Sequence, residues 1–440
     1  MRAHLSNATY GVLDYVAYPV GMLVAAPTLL HHLGAPQYGV WIVCTAVVST
    51  GGIIASGFGD ANIQYVATQR ERGNLSAVAR AVRSMLAINL LLGILMAAIG
   101  LATASVLARN VVPNGDVLYR ACVSSLRIAS AAMVARAIES VCISTQRAFE
   151  RYGDAVRTSI FIRIFTIFIA IVVIWRGLGV VSIMFWTIVL MIIGTALQLL
   201  QLRRLLEGSS LMPMLDRETY EALFGFGIFS WLQAVSGVVF NQADRLILGA
   251  SVGATAVTSY TLCVQMAQPI YGIAAAGLHF LFPYLARRKQ AASAEHMRRT
   301  VAVATMANVS FVLCAAVGEL LLGRFVLRAW VGEEIALSSE PLLAPVISGF
   351  ALLGIGVTGY YAMLAFGRVR LVTILNLAGG AGMLLLMICL LPRMGVMGVA
   401  MARIAYGGLT LGLYLPLIRM VFFARHSLQH EPEPVMEASR

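Results

Sequence analysis

The chain carries little charge, almost no lysine and few cysteines for its length. Only 12% of its 440 residues are charged, against roughly 25% in soluble domains, and Lys289 is the single lysine. No two of the six cysteines stand at CxxC spacing, so neither a disulfide framework nor a metal site is indicated. No cofactor is indicated either. A nucleotide-binding domain, a secreted disulfide scaffold and a nucleic-acid-binding protein are excluded, because almost no polar chain remains to build them.

Long apolar runs fill the sequence instead. With 59% hydrophobic residues and a mean hydropathy of +0.83, the chain is predicted to be an all-α membrane protein that crosses the bilayer many times. At about 20 residues per membrane-spanning helix, it has room for about twelve spans. We place these spans at about 10–31, 38–59, 85–108, 121–144, 158–175, 180–201, 222–249, 255–285, 300–323, 342–366, 371–391 and 396–422.

The basic residues predict how the spans are oriented. Twenty-one of them fall in the connections on one side of the membrane and six in those on the other. The positive-inside rule places the richer side, with both chain termini, in the cytoplasm. The predicted domains are an N-terminal half (1–201), a cytoplasmic linker (202–221), a C-terminal half (222–423) and a disordered cytoplasmic tail (424–440).

The two halves carry an internal repeat. At an offset of 219 residues, Leu33–Trp41 aligns with Val252–Tyr260, and both segments are predicted to form a short outer turn between two helices. Later, Arg176–Val180 resembles Arg393–Val396 with one residue deleted. Because each half has six spans, the repeats are predicted to be parallel.

Polar and small residues recur at helical spacing in the first, second, seventh and eighth spans. Such stripes allow close helix packing in lipid, or they line a polar cavity. The occurrence of stripes on repeat-related helices favours the cavity. The predicted cavity-lining residues from these spans are Ser49, Gln233, Asn241, Gln265 and Gln268.

Charged residues inside the spans are the second set of candidates, because a charge at the bilayer centre costs about 2.5–3.5 kcal/mol. Arg136 lies near the middle of the fourth span with Glu139 one turn later. This pair is either an ion pair within the helix or part of the cavity. The arginines predicted to contact substrate are Arg127, Arg136, Arg245 and Arg403, and the acids predicted to couple H⁺ or Na⁺ are Asp14, Glu139 and Asp244.

The repeat segments resemble a known family. Leu33–Trp41, followed by Gly57-Phe58-Gly59-Asp60, is similar to the first-half motif of bacterial polysaccharide transporters, the O-antigen and exopolysaccharide repeat-unit flippases. They belong to the multidrug/oligosaccharidyl-lipid/polysaccharide exporter superfamily. Asn241–Gly249, then Tyr260 and Phe282-Pro283, is similar to the second-half motif, although Thr258 stands where the family more often has glycine.

The resemblance implies two six-helix lobes that form a V around a central cavity, in the bacterial inner membrane. The implied substrate is an undecaprenyl-diphosphate-linked oligosaccharide, which moves from the cytoplasmic to the periplasmic leaflet for surface polysaccharide biosynthesis. Members use arginines in the cavity for anionic headgroups or sugars, a role that Arg136, Arg245 or Arg403 would fill here. A polysaccharide polymerase or co-polymerase is a possible partner.

Three alternatives belong to other classes. A cation-coupled multidrug exporter of the same superfamily would favour an acidic cavity, whereas these spans hold five arginines against four acids. A membrane enzyme needs a sizeable external loop with catalytic residues, but the longest external connection is predicted at about 324–341 and lacks histidine. We therefore expect no enzymatic activity. A scaffold that only organises the polysaccharide machinery is the third alternative.

Overall fold

We describe a computed structural model of the chain. It gives the backbone of residues 2–420 except 57, 113–116, 218, 220, 222–227, 229–230, 233–236, 238–241, 280 and 289–293, and the side chains of those residues except 2–19, 56, 152, 155, 283, 286–288 and 294. Three predicted residues lie outside this description: Gln233, Asn241 and the side chain of Asp14. The predicted disordered tail lies outside it too.

The part of the chain that the structure describes is helical and contains no strand. Its helices are α1 (Arg2–Ser56), α2 (Gly59–Glu71), α3 (Leu75–Val111), α4 (Val117–Ala148), α5 (Tyr152–Trp175), α6 (Val180–Leu205), α7 (242–251), α8 (Ala254–Leu278), α9 (Leu281–Arg288), α10 (Ala294–Val331), α11 (Glu333–Ala365), α12 (Val369–Met394), α13 (Val396–Thr410) and α14 (Tyr414–Ile418). A 3₁₀ turn, Leu411–Leu413, joins α13 to α14.

Among the described residues, nine helices are long and apolar enough to cross a membrane. One of these, Val20–Glu71, extends from within the first predicted span to beyond the second. The two predicted spans are separated by a break in α1 at Gly34, where φ is 72° and ψ is 163°. Much of the predicted seventh span lies outside the described residues. The chain is therefore a multi-pass membrane protein, and the number of twelve helices stays a prediction.

Exposed apolar side chains identify the helices that contact lipid. On α3, Leu91, Ile94 and Leu95 are all more than half exposed, and similar side chains run along α5, α6, α10 and α12. An aqueous surface rarely carries such patches, whereas hydrocarbon solvates them. By contrast, α8 is buried almost continuously from Val257 to Val264, so this stretch is surrounded by protein.

The described chain forms two compact units. The first consists of Met1–Met266, Gly323–Leu343 and Leu386–Val399, and the second consists of Ala267–Leu322, Ala344–Leu385 and Ala400–Arg440. In the first unit, a core cluster centred on Met85, Val82 and Leu202 joins α2, α3, α4 and α6. In the second, Leu285, Met363 and Leu417 belong to a cluster that joins α9, α10, α11, α12 and α14.

The prediction of an 18-residue external connection at 324–341 is wrong. α10 continues to Val331 and α11 begins at Glu333, so only Gly332, with φ at 84°, separates the two helices. An ion pair of 3.0 Å between Arg328 and Glu340 joins them, and Glu333 and Glu334 occupy the first turn of α11, where acids interact favourably with the helix dipole. Arg328, Glu333, Glu334 and Glu340 therefore lie on helices and stabilise the helix ends.

The linker begins where α6 ends at Leu205. Glu207 and Gly208 adopt left-handed backbone angles, with φ of 51° and 79°, and turn the chain. Residues 209–216 then continue without helix. We call 209–216 the linker segment. It is hydrogen-bonded to the start of α3, as described below.

Candidate substrate and ion-coupling residues

The two repeat turns pack against each other within the first unit. The positions at offset 219 behave alike: Gly34 and Gly253 both have positive φ, at 72° and 104°. At Gly39 a β-carbon would overlap the Ala254 carbonyl, and at the equivalent position Thr258 donates its hydroxyl to the Ala35 carbonyl at 2.7 Å. Each turn thus approaches a carbonyl of the other turn, that of Ala254 or that of Ala35, and these two residues are equivalent in the repeat. This reciprocity bears out the sequence repeat in the geometry.

A second repeat-related pair was not identified from the sequence. Asn89 on α3 donates its side-chain amide to the Ala137 carbonyl of α4 at 3.1 Å. Asn308 on α10, 219 residues later, donates to the Gly354 carbonyl of α11 at 2.9 Å. Both asparagines are buried. The identical residue at the repeat offset was the available signal, and these bonds join equivalent helix pairs in the two halves.

Arg136 and Glu139 form the predicted i,i+3 ion pair on α4, at 2.8 Å. The Glu139 side chain is 10% exposed and that of Arg136 is 33% exposed, so the acid is nearly buried and the arginine side chain is partly accessible. A β-carbon added at Gly52 of α1 would lie only 3.0 Å from the β-carbon of Arg136. The absence of a side chain at Gly52 therefore allows Arg136 to pack closely against α1. Arg127, nine residues earlier on α4, is exposed.

Asp244 and Arg245 lie on α7 and have different surroundings. The Asp244 carboxylate is fully buried and accepts the Tyr260 hydroxyl at 2.9 Å and the Arg245 backbone N–H at 2.8 Å. The Arg245 guanidinium donates to the Gln242 side chain at 3.0 Å. Nearby on α8, the Gln265 amide donates to the Tyr38 hydroxyl at 3.2 Å. This polar cluster belongs to the same end of the first unit as the repeat turns.

Arg403 belongs to the second unit, on α13. It is buried, its guanidinium carbon lies 4.8 Å from the centroid of the Phe350 ring, and its Cγ is in close contact with Gly349. An arginine over an aromatic face is stabilised by the ring quadrupole, more strongly where water is excluded. Gln268, in the same unit, is half-buried, as is Ser49 in the first unit.

A tryptophan missed by the sequence analysis satisfies the backbone of α1. Pro27 has no N–H, so the carbonyl four residues earlier, on Leu23, loses its helical partner. The indole of Trp330 donates to that carbonyl at 2.8 Å. A contact across 307 residues leaves no local signal in the sequence.

The chain shares its fold with membrane transporters of known structure. A multidrug resistance MATE family transporter in an inward-facing conformation matches with a TM-score of 0.75 and 14% identity, covering 93% of this chain and 98% of that one. The lipid II flippase MurJ in an inward closed conformation also matches with a TM-score of 0.75, at 11% identity, covering 93% and 87%. At these identities the likeness concerns the fold alone.

Sequence comparison then gives the family. Residues 33–334 match the family described as "Polysaccharide biosynthesis protein", and the chain belongs to it. A Shigella flexneri protein named "Putative O-antigen transporter" is 23% identical over 185 residues, which is 42% of this chain and 44% of that protein. The match thus spans under half the length of this curated relative. The predicted resemblance to polysaccharide transporters is confirmed.

Proposed function

We propose that the protein is a flippase that moves an undecaprenyl-diphosphate-linked oligosaccharide from the cytoplasmic to the periplasmic leaflet of the bacterial inner membrane. It would do so with twelve helices in two six-helix lobes, both termini cytoplasmic, by alternating access. The observation that carries the proposal is Arg136, a partly exposed arginine paired with Glu139 inside a membrane span of a polysaccharide-biosynthesis family member. A charge kept there at a cost of about 2.5–3.5 kcal/mol needs a purpose.

The chemistry of arginine suits a diphosphate. Its planar guanidinium presents several donors and forms bidentate, charge-assisted hydrogen bonds with phosphate oxygens. The ion pair with Glu139 joins Nη1 of Arg136 to one oxygen of the carboxylate. Arg245 and Arg403 are further candidates for the headgroup or sugars. The polar side chains of Ser49, Gln265 and Gln268 would solvate sugars, while the lipid tail stays in the bilayer.

The test uses a strain that lacks this gene. Without the protein, diphosphate-linked repeat units should accumulate on the cytoplasmic leaflet while surface polysaccharide disappears, and the wild-type gene should restore both. Arg136→Ala should fail to restore them although it reaches the membrane in normal amount. Arg176→Ala, which removes an exposed arginine from the turn after α5, is the matched control and should restore both. Unchanged polysaccharide in the deletion strain would contradict the proposal.

The competing function is export of cationic drugs. It would be favoured if expression of the protein protected a drug-sensitive strain and the lipid-linked repeat units were distributed normally. Among the described candidates, Glu139 is neutralised by Arg136 and Asp244 is enclosed by hydrogen bonds, which offers little free acid for a cation. This arrangement supports an anionic substrate.

The driving force is H⁺ or Na⁺ coupling or the membrane potential. Outward movement of two negative charges gains roughly 2 × 2.3 kcal/mol per 100 mV of inside-negative potential. The membrane potential by itself therefore favours outward transport of the substrate. Asp14, Glu139 and Asp244 are the candidate coupling acids. If Asp14 carries the proton, Asp14→Asn should leave a folded protein whose transport no longer responds to pH. A normal pH response in that variant would exclude Asp14.

A further inference from the structure

The linker segment forms an ordered attachment to the start of α3. Arg83 donates its Nε to the Met212 carbonyl at 2.9 Å, and the Met214 backbone N–H donates to the Arg83 carbonyl at 3.3 Å. Ser84 donates its hydroxyl to the Met214 carbonyl at 3.2 Å and accepts the Asp216 backbone N–H at 3.1 Å. These bonds satisfy the backbone of a stretch that has no helix of its own.

A groove lies under this segment, between α3, α4 and α6. Its volume is about 740 Å³, within the range of roughly 300–1,000 Å³ that is typical of ligand pockets. Apolar side chains form most of its wall, and they include Leu86, Leu90, Ile138, Leu199 and Leu200. Among the described residues that line the groove, only Arg203 is charged.

The groove borders a surface of α6 that contacts lipid. Ala196 and Leu200, which line the groove, are exposed, and Leu197 beside them is exposed on the same helix. On the linker segment, Met212 is 73% exposed and Leu215 is 54% exposed. Large apolar side chains at the polar end of a membrane helix are typical of segments that lie in the bilayer interface. A hydrocarbon chain can therefore reach the groove from the bilayer.

The charges around the groove favour an anionic headgroup. Arg203 makes no ion pair with any described residue and stands on the last turn of α6, where the helix dipole attracts a cation and the next residue is Arg204. Among the acids of this part of the chain, Glu207 adjoins Gly208 of the lining, and Glu221 pairs with Arg217 at 3.1 Å. The carboxylate of Asp216 accepts the backbone N–H of Thr219 at 3.1 Å and its hydroxyl.

Those two bonds from Thr219 lower the pKa of Asp216, so this acid stays charged and engaged with its own turn. Together with the apolar wall, Arg203 makes the groove complementary to an amphiphile with one negative headgroup. We propose that the groove binds an anionic phospholipid, with one acyl chain among Leu86, Leu90 and Ile138 and the phosphate on Arg203. Arginine is well suited to phosphate because its donors match the oxygens.

The experiment uses the purified full-length protein in neutral detergent with added phosphatidylglycerol or phosphatidylcholine. Retained lipids are counted by native mass spectrometry, and the lipid-dependent rise in Tm is measured. Phosphatidylglycerol should be retained and should raise Tm, and phosphatidylcholine should do so less. Arg203→Gln should weaken retention about fivefold, the factor that corresponds to about 1 kcal/mol for one arginine at an anionic surface. Ala196→Trp should block the groove and abolish retention.

Each variant has a neighbour as its control. Arg204→Gln removes an arginine that does not line the groove, and Leu197→Trp adds a ring to the lipid-facing side of α6. Both should retain phosphatidylglycerol as the wild type does. Equal losses for Arg203→Gln and Arg204→Gln would overturn the proposal in favour of general surface charge. Retention of undecaprenyl phosphate but not of phosphatidylglycerol would also overturn it. If Ala196→Trp does not fold, the exposed Arg203→Gln still decides.

Discussion

The two halves of the chain share their packing contacts but not their buried charges. Asn89 and Asn308, at equivalent repeat positions, each donate a side-chain amide to a backbone carbonyl of the following helix, α4 or α11. The ion pair of α4 has no such counterpart, since 219 residues after Arg136 and Glu139 the chain has Ile355 and Thr358. A contact present in both halves supports the fold, whereas a charge present in one half needs another explanation.

The second half repeats this lesson with a different helix. Arg403 stands seven residues after Val396, and the equivalent position seven residues after Val180 is Thr187. Arg403 is buried against Phe350, while Thr187 donates its hydroxyl to the Ile183 carbonyl within its own helix. Each half thus has an arginine inside a span at a position where the other half has an uncharged residue. We infer that the repeat supplies the scaffold and that these arginines supply the polarity of the substrate path.

The largest expected effect comes from making the first half like the second. Arg136→Ile combined with Glu139→Thr should give a protein that folds, because both charges leave together and replacing a buried pair by uncharged side chains is often neutral. Transport should fall at least about tenfold, since one charge-assisted hydrogen bond is worth about 1.5–3 kcal/mol. The leaflet distribution of lipid-linked repeat units measures transport, and Tm measures folding.

The single variant Glu139→Thr separates the effect on folding stability from the effect on transport. It leaves the Arg136 guanidinium without its acid, which should destabilise the protein by about 1–3 kcal/mol. This is less than for a fully buried pair because a third of the arginine side chain is exposed. Normal transport by the double variant would refute the view that the charged pair Arg136 and Glu139, which is present in only one half, serves the substrate.

The next largest effect concerns the repeat turns. Gly39→Ala should lower stability by about 1–3 kcal/mol, as overpacking does, because its β-carbon would overlap the Ala254 carbonyl. Thr258→Ala, at the equivalent position, keeps the β-carbon in α8 and removes the hydroxyl that donates to the Ala35 and Ala254 carbonyls, so it should cost about 0.5–1.5 kcal/mol. Denaturation midpoints of the two variants in the same detergent test this order. A larger loss for Thr258→Ala would contradict the close approach at Gly39.

Much of this arrangement could be predicted from local sequence patterns. The offset of 219 identified the paired turns, and the i,i+3 spacing identified the ion pair of Arg136 and Glu139. Hydropathy located the spans but not the helix ends, because backbone hydrogen bonding continues after the apolar stretch stops. α3 therefore begins at Leu75, ten residues before its predicted span, and α11 begins at Glu333.

The features that escaped prediction depend on distant contacts. The Leu23 carbonyl, which loses its helical partner at Pro27, accepts the indole N–H of Trp330. The linker segment is ordered by hydrogen bonds with Arg83 and Ser84. Neither partner is near in sequence, so no periodicity marks it. The partial exposure of Arg136 likewise depends on which helices surround α4, which spacing along one helix does not determine.

The smallest expected effect tests the contact that the halves share. Asn89→Ala and Asn308→Ala should each cost about 0.6 kcal/mol and at most about 1.7, the range for interhelical hydrogen bonds in membranes. The two residues lie in different units and share no hydrogen-bond partner, so the double variant should lose the sum. Transport should follow the folded fraction, because neither side chain is assigned to the substrate. Unfolding in detergent and flipping per folded molecule are the two measurements. A loss of transport per folded molecule in only one of the two variants would contradict this prediction. The halves would then differ in function even where their contacts are alike, and a shared contact would no longer identify a residue that serves only the fold.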